Sequence, residues 1–244
     1  YMGGNFSKVG KWASMGALID LETGDADDNF PDLNTTVRTA VKDGNGGWYI
    51  GGEFTSVGGE QRLRLAQIDS TGQVTAWNPS ANADVLSLAV SGSTVYVGGE
   101  FSSVGGENRF RMAAIDANTG VATSWNPLTT AFSSSRVNAI AVSGSTIYVG
   151  GNFTSMGGEV RNNVAALDAN TAAATSWDPS ASSDVLCLLV EGSTVYAGGQ
   201  FLSIGGESRE RIAAIDATTG LVTSWNPEAN FTVRALAVSA STIF

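Results

Sequence analysis

The reactive side chains of this sequence are few, and their types exclude several kinds of chemistry. The 244 residues include no histidine and a single cysteine, Cys187. Histidine is the commonest general base and the commonest metal ligand in proteins. Because no imidazole is present to activate its thiol, we interpret Cys187 as a small buried residue rather than a nucleophile. A single cysteine also excludes an intrachain disulfide.

Carboxylates are the remaining groups that could catalyse a reaction or bind a metal. Two carboxylates suffice for glycoside hydrolysis, and Asp84 and Asp184 are the pair to consider. They stand at matching places of a repeat, whereas a catalytic pair has to be unique. The run Asp25, Asp27 and Asp28 is the one stretch dense enough in oxygen ligands to be a candidate calcium site. We expect no catalytic residue and no cofactor.

All these residues lie within a repeating sequence pattern. A Gly-Gly pair followed by one variable residue and phenylalanine begins at Gly3, Gly51, Gly98, Gly150 and Gly198, at intervals of 47 to 52 residues. The chain therefore divides into five repeats, 3–50, 51–97, 98–149, 150–197 and 198–244, within a single domain, 1–244. Repeats of this length are typical of propeller blades.

The pattern within one repeat predicts four short strands. In the clearest copy these are Val85–Val90, Thr94–Val97, Met112–Asp116 and Val121–Trp125, with Asn126-Pro127 ending the last one. No segment shows helical periodicity over three turns. We therefore predict an all-β fold, a β-propeller of five four-stranded blades of about 48 residues.

The two ends of the sequence leave the blade count of the intact protein open. The last repeat stops at Phe244 within "STIF", whereas other copies continue into Val-Gly-Gly, and the first begins "YMGGNF". One alternative is a ring closed by pairing of the N- and C-terminal strands. The other is a segment of a longer surface protein.

Residues present in every copy are expected to serve the blade itself. The repeated aromatics are predicted to pack blade against blade, and the alternative is a ring of exposed aromatics that binds sugars. The Gly-Gly pairs are expected to make room for a neighbouring aromatic or a bulge. The Glu-x-Arg loops are either salt-bridged, solvated links to the next blade or a ring of ligand-binding arginines. The repeated aromatics are Phe30, Trp77, Trp125, Trp177 and Trp225.

Residues that differ between copies are the candidates for binding. The residue after each Gly-Gly pair varies, and single aromatic or basic residues interrupt the repeat elsewhere, as interface anchors commonly do. A degenerate or terminal repeat would show the same departures from the pattern, so both interpretations stay open. The variable residues are Asn5, Glu53, Glu100, Asn152 and Gln200, and the interrupting residues are Trp12, Trp48, Phe132 and Arg136.

Charge and hydropathy narrow the classes of partner. The net charge is −10, and the 13 basic residues form no run, so the footprint of a nucleic-acid-binding protein is missing. No apolar run is long enough to span a membrane, so we expect no membrane insertion. The partners expected are other surface proteins or glycans.

The combined motifs resemble a known group of repeats. The stretches "VGGEFTSVGGE", "LAQIDSTG", "TAWNP" and "VRALAVS" are similar to the delta-60 type bacterial β-propeller repeat, a domain of unknown function, across all five copies. The Asp-x-x-Thr-Gly turns are also similar to the quinoprotein-type propeller repeat. The resemblance implies a secreted or cell-surface location and no catalytic residue to carry over.

Three functions therefore remain open at the level of sequence. The leading one is a non-enzymatic extracellular scaffold for protein interaction or adhesion. The alternative is a lectin-like module with several weak sugar sites, whose avidity would come from multivalency. The remote alternative is a glycoside hydrolase.

Overall fold

The described part of the chain consists of β-strands and the turns that join them. The structure is a computed structural model, which describes residues 22–23, 30–129 and 134–244. These residues form 22 β-strands and no helix, so the all-β prediction is confirmed. The predicted site residues Asn5, Trp12, Asp25, Asp27, Asp28 and Phe132 lie outside the described residues.

Four three-stranded antiparallel sheets repeat along the sequence. In each, the second strand lies in the middle, paired with the first and third strands. The first sheet comprises β1 (Val37–Lys42), β2 (Trp48–Gly52) and β5 (Leu65–Ile68). The second comprises β6 (Val85–Ser91), β7 (Thr94–Gly99) and β10 (Met112–Asp116). The third comprises β11 (Arg136–Ser143), β12 (Thr146–Asn152) and β15 (Val164–Asp168), and the fourth β16 (Val185–Glu191), β17 (Thr194–Gly199) and β20 (Ile212–Asp216).

The other strands form five short two-stranded hairpins. Four of them form the loop that follows each Gly-Gly-x-Phe motif, and the fifth lies near the end of the chain. The loop hairpins are β3 (Ser56–Val57) with β4 (Glu60–Gln61), β8 (Ser103–Val104) with β9 (Glu107–Asn108), β13 (Ser155–Met156) with β14 (Glu159–Val160), and β18 (Ser203–Ile204) with β19 (Glu207–Ser208). The last is β21 (Val238–Ser239) with β22 (Thr242–Ile243).

Each sheet has a hairpin end and an entry end. At the hairpin end the first and second strands are joined by a tight turn, as where Ser143 pairs with Thr146. At the entry end the first strand begins and the second strand finishes, as where Arg136 pairs with Asn152. The first strand, which runs between these two ends, has six to eight residues, a distance of about 20–26 Å at 3.3 Å per residue.

The predicted fourth strand is not a regular strand. After β15, only one bridge, Leu167 to Ala174, pairs the returning chain with the sheet. The chain then turns away, because the hydroxyl of Thr175 accepts the amide of Trp177 at 3.2 Å. The two residues beyond this turn include Pro179, which has no amide to donate to a ladder. The observed repeat is therefore a three-stranded sheet with a fourth segment held at one bridge.

Contacts within the chain divide it into two compact units. One comprises Tyr1–Arg109 and Ala113–Ser124, and the other Phe110–Met112 and Trp125–Phe244. In the first unit a buried cluster joins the first and second sheets and includes Leu65, Val85 and Phe101. In the second unit the matching cluster joins the third and fourth sheets and includes Val164, Val185 and Phe201.

The Gly-Gly pair at the end of β12 makes room for two different groups. A side chain on Gly150 would place its Cβ 2.6 Å from a methyl group of Val185 in the fourth sheet. A side chain on Gly151 would collide with the carbonyl oxygen of Arg136 in its own sheet. That close approach coincides with a register shift between Val137 and Ala139, so the expected bulge is present. The neighbour that the first glycine admits is a valine and not the expected aromatic.

The repeated tryptophans pack one sheet against the next. Trp77 and Trp177 are 4% and 3% exposed, respectively. The indole nitrogen of Trp177 donates to the backbone oxygen of Asp216 in the fourth sheet at 2.9 Å. Trp77 makes the same bond to Asp116 in the second sheet at 3.1 Å. The packing prediction is therefore confirmed for these residues, and their buried rings do not form the ring of exposed aromatics that the alternative requires.

Candidate functional site

The aspartates of the outer turns bind their own backbone. One carboxylate oxygen of Asp168 accepts hydrogen bonds from the amides of Asn170 and Thr171 at 2.9 and 2.8 Å. These bonds and one from the Thr171 hydroxyl stabilise the ionised form and hold the pKa of Asp168 below its usual value. Asp69, Asp116 and Asp216 have pKa values lowered in the same way. These carboxylates are therefore turn-forming groups that already have their partners.

The arginines of the loop hairpins also donate hydrogen bonds to backbone carbonyl groups. Arg109 donates to the carbonyl oxygen of Thr123 at 2.7 Å, and Arg161 makes the matching bond to Thr175 at 2.6 Å. The side chains of both are only 12% exposed. Arg109 also lies 3.9 Å from Glu107. The predicted salt bridge within the loop is therefore present for Arg109, but the link to the next blade is wrong, because the arginines bond each hairpin to its own sheet. Their burial does not favour the alternative of ligand-binding arginines.

The variable residues share one backbone position at the entry end. The amide of Glu100 donates to the carbonyl oxygen of Asp84 at 2.9 Å, and the amide of Gln200 donates to that of Asp184 at 2.9 Å. The amide of Glu53 makes the same bond to Thr36 at 3.0 Å. Each sheet therefore fixes the backbone here and leaves the side chain free to differ. Glu100 and Gln200 are exposed, whereas Glu53 and Asn152 are half-buried.

At the entry end of the third sheet, two predicted residues meet on a buried carboxylate. Arg136 forms an ion pair with Asp184, and the amide of Asn152 donates to the other carboxylate oxygen at 2.7 Å. The side chain of Asp184 is 8% exposed. Asn138 adds a hydrogen bond to the carbonyl oxygen of Val185 at 3.2 Å. The third and fourth sheets are therefore joined at this end by polar side chains.

Asp184 is an entry-end residue whose joining role sequence reasoning missed. Its place in the repeat is the place that Arg136 occupies one repeat earlier, 48 residues away. Opposite charges at one repeat position in successive copies were the signal that could have found the pair, because adjacent blades bring such positions close together.

The first unit carries two ion pairs at the corresponding end. The guanidinium of Arg38 donates to Glu53, with its Nε at 2.9 Å from the carboxylate oxygen. Arg64 lies 3.6 Å from Asp84, a looser pair that is partly exposed. Trp48 begins β2, is half-buried beside the core of the first sheet and lies under the Lys42 ammonium, 5.8 Å from the ring centre. In each unit, then, one variable residue bonds to a charged group: Glu53 pairs with Arg38 and Asn152 donates to Asp184.

The reactive groups considered in the sequence are buried or paired where the structure describes them. Burial raises the pKa of Cys187 to about 12, so its thiol stays protonated at neutral pH. Asp84 and Asp184 are each paired with an arginine. Among the described residues, no three histidine, cysteine, aspartate or glutamate side chains converge closely enough to hold a metal ion. The described part of the chain also holds no helix long and apolar enough to cross a bilayer.

Comparisons with known proteins agree on the type of repeat. The family described as "Domain of unknown function (DUF5122) beta-propeller" matches residues 44–74 and 94–118. These segments cover parts of the first and second sheets and of the turns that follow them. The chain therefore contains a β-propeller repeat of unknown function. A search of the curated proteins finds no match.

Solved structures resemble the chain in fold. The computationally designed Ika4 protein is 13% identical with a TM-score of 0.52, over 75% of this chain and 92% of that chain. The computationally designed Ika8 protein is 14% identical with a TM-score of 0.57, over 95% of this chain and 75% of that one. Sqt1 of Saccharomyces cerevisiae is 14% identical with a TM-score of 0.56, over 92% of this chain and 60% of that chain. At such identities the likeness concerns the fold alone.

Proposed function

We propose that this chain is a non-enzymatic β-propeller scaffold that binds a protein partner at the surface of a bacterial cell. The observation that carries the proposal is the entry end of the sheets, where a constant backbone presents glutamate in two of the described copies, asparagine in one and glutamine in one. Glu100 and Gln200 are held by the same amide-to-carbonyl bond, and both residues are exposed. A surface of this kind suits a partner that contacts several repeats at once, since the positions supply both carboxylate and amide groups.

The cell-surface location and the lack of catalysis belong to the same proposal. The location is supported by the resemblance to delta-60 type bacterial repeats and not by any contact in the molecule. The lack of catalysis is supported by the absence of histidine from the sequence and by the protonated, half-buried Cys187 thiol. Turn carboxylates that are bonded to their own backbone support it as well.

Five blades closed into one ring are the architecture that we propose for the domain. The five copies of the Gly-Gly-x-Phe motif support that number, and closure would remove the free edges that promote aggregation. Small-angle scattering tests this, because a compact fold of this length has a radius of gyration of about 18 Å. A clearly larger radius would contradict the closed ring.

Site-specific cross-linking tests the partner surface. Because the Cys187 thiol is protonated and half-buried, a cysteine introduced by Gln200→Cys can be labelled selectively with a photo-crosslinker. Glu191→Cys is the matched control, since Glu191 is exposed at the opposite, hairpin end of the same sheet. On intact bacterial cells we expect one discrete protein adduct from position 200 and none from position 191. Equal adducts from both positions, or none from position 200, would reject the surface.

A further inference from the structure

An open cleft lies at the hairpin end, at the junction of the third and fourth sheets. Its volume is about 540 Å³, within the range of small-molecule sites. The third sheet contributes Tyr148 and Ala166, and the chain that follows it contributes Trp177. The fourth sheet contributes its hairpin turn and the residues after β20, including Ser193 and Thr218. The cleft lies at the opposite end of the sheets from the variable residues.

The lining of this cleft is uncharged and rich in hydroxyl groups. None of its eleven lining residues carries a charge. Its hydroxyl groups belong to Ser143, Thr146, Thr175, Ser176, Ser193 and Thr218. Apart from Thr175, which accepts the amide of Trp177, these side chains make no hydrogen bond to any residue that the structure describes. Ser143, Ser176, Ser193 and Thr218 are exposed, so their donors and acceptors are available to a ligand.

The aromatic residues form a fixed wall of the cleft. The Tyr148 hydroxyl donates to the carbonyl oxygen of Ala217 at 2.9 Å, and the Trp177 indole donates to Asp216. The two rings meet edge to face with centres 5.1 Å apart. Because both polar tips are bonded and each residue is only 3% exposed, the wall offers the cleft a narrow strip of carbon surface. A ligand would therefore meet hydroxyl groups along the rim and hydrocarbon at the base.

In the first sheet, the space that corresponds to the cleft is filled by a glutamine side chain. There the residue paired with the tyrosine is Gln67, whereas in the third sheet it is Ala166. The amide of Gln67 donates to Asp43 at 3.0 Å, and its oxygen accepts the hydroxyl of Thr75 at 3.1 Å. The third sheet keeps Thr175 but has Ala166 in place of the glutamine. The cleft is thus the space that a glutamine side chain and its partners occupy in another copy.

We propose that this cleft binds an uncharged saccharide unit. Hydroxyl side chains both donate and accept, which matches the hydroxyl groups of a sugar, and the hydrocarbon base suits its C–H groups. The cleft offers no counter-charge, and a net charge of −10 on the chain disfavours an anion. The site depends on hydroxyl groups, unlike a lectin-like array of repeated aromatics, and it does not depend on the proposed protein-binding surface at the entry end.

Filling the cleft with the side chain that another copy carries provides the test. Ala166→Gln copies the first sheet, and Ala214→Gln makes the same change at the matching place in the fourth sheet, where Ala214 pairs with Tyr196. The full chain is titrated with neutral monosaccharides, their oligosaccharides, glycerol and inositol, and the amide signals of Gly192 and Thr218 are followed by NMR. We expect a neutral saccharide to shift these signals in the wild type and in Ala214→Gln, and to bind Ala166→Gln at least tenfold more weakly.

A second variant keeps the test decisive if Ala166→Gln fails to fold. Ser193→Ala combined with Thr218→Val changes exposed residues and removes two hydroxyl groups, which we expect to weaken binding about tenfold. A preference for oligosaccharides over monosaccharides would identify a glycan chain as the source, and the reverse a free sugar; either outcome supports the site. Equal binding of wild type and Ala166→Gln, equal shifts with glycerol or inositol, or no shift with any neutral saccharide would overturn it.

Discussion

Asp168 shows how one side chain builds the outer turn of a sheet. Its carboxylate bonds two successive amides and one hydroxyl of the turn that leads to the fourth segment. Asp116 and Asp216 make the same three bonds in their own sheets. The bonds require the ionised form, so these turns link the stability of the fold to pH.

The first prediction concerns this link to pH. The pKa of Asp168 is lower in the folded chain than in the unfolded chain, whose value is about 3.9. Its contribution is therefore present above about pH 4 and is lost as the pH falls through the lower, folded pKa. We expect Asp168→Asn to lower the urea midpoint at pH 7 and to approach the wild type at pH 2.5.

The control for this experiment is an exposed carboxylate in the loop hairpin of the same repeat. Glu159→Gln changes a side chain at the tip of a loop hairpin, and it is expected to leave the urea midpoint nearly unchanged at both pH values. A difference between Asp168→Asn and the wild type that stays constant down to pH 2.5 would contradict the assigned role.

Single residues were predictable where their role recurs and where their partner is local. The turn aspartates and the packing tryptophans follow from repetition, since both occur in successive copies with the same neighbours. The loop arginines were misjudged because their partner is a backbone carbonyl, that of Thr123 for Arg109. A carbonyl group is present at every residue, so no sequence pattern marks it as the target.

Among the structural elements, the strands were predictable and the fourth segment was not. The first three strands of each sheet follow from alternating apolar residues and glycine-containing turns. The fourth segment has similar residues, but the Thr175 hydroxyl and the Trp177 indole draw the chain out of the ladder. The second of these bonds reaches another sheet. Long-range contacts of this kind outweigh local β-propensity.

The second prediction concerns the bulge at the entry end. Gly151→Ala would force a methyl group against the carbonyl oxygen of Arg136, which belongs to the backbone and cannot move aside without breaking the ladder. We expect a loss of about 3 kcal/mol in the free energy of unfolding, at the upper end of overpacking costs. Urea unfolding followed by tryptophan fluorescence measures it.

Gly158→Ala is the matched control for the bulge. Gly158 has a φ of +85°, and no atom lies within 4 Å of the place that an added methyl group would take. Alanine there therefore meets only the left-handed backbone strain of about 1 kcal/mol. A loss for Gly151→Ala no larger than that for Gly158→Ala would contradict the view that the approach of the Arg136 carbonyl oxygen makes Gly151 necessary.

At the scale of the molecule, the sheets within one unit are joined at both ends by different chemistry. Between the third and fourth sheets, the hairpin end is held by Tyr148 and Trp177 and the entry end by Arg136 and Asp184. The aromatic end was predictable, because aromatic residues recur at these places from copy to copy. The charged end was missed, because Arg136 occurs in one copy only and meets Asp184 only when two sheets lie side by side.

The third prediction concerns the aromatic join. Trp177→Ala removes a side chain that is 3% exposed and leaves the Asp216 carbonyl without its donor, and we expect a loss of about 3–5 kcal/mol. The matching change Trp225→Ala affects a half-buried ring, so its cost should be clearly smaller. Urea unfolding and hydrogen exchange at Thr218 measure both, and equal losses would mean that burial in the join does not set the cost.

The hydrogen bonds from tryptophan and tyrosine to the adjacent sheet end on backbone carbonyl oxygens, and this has an evolutionary consequence. Trp77 and Trp177 donate to the carbonyl oxygens of Asp116 and Asp216, and Tyr49 and Tyr148 donate to those of Ala117 and Ala217. A carbonyl oxygen survives any substitution at its residue, so a duplicated gene segment fits beside its parent without compensating mutations. Copies are thus interchangeable at the moment of duplication. Their entry-end side chains can then diverge while the hydrogen bonds at the hairpin end stay intact.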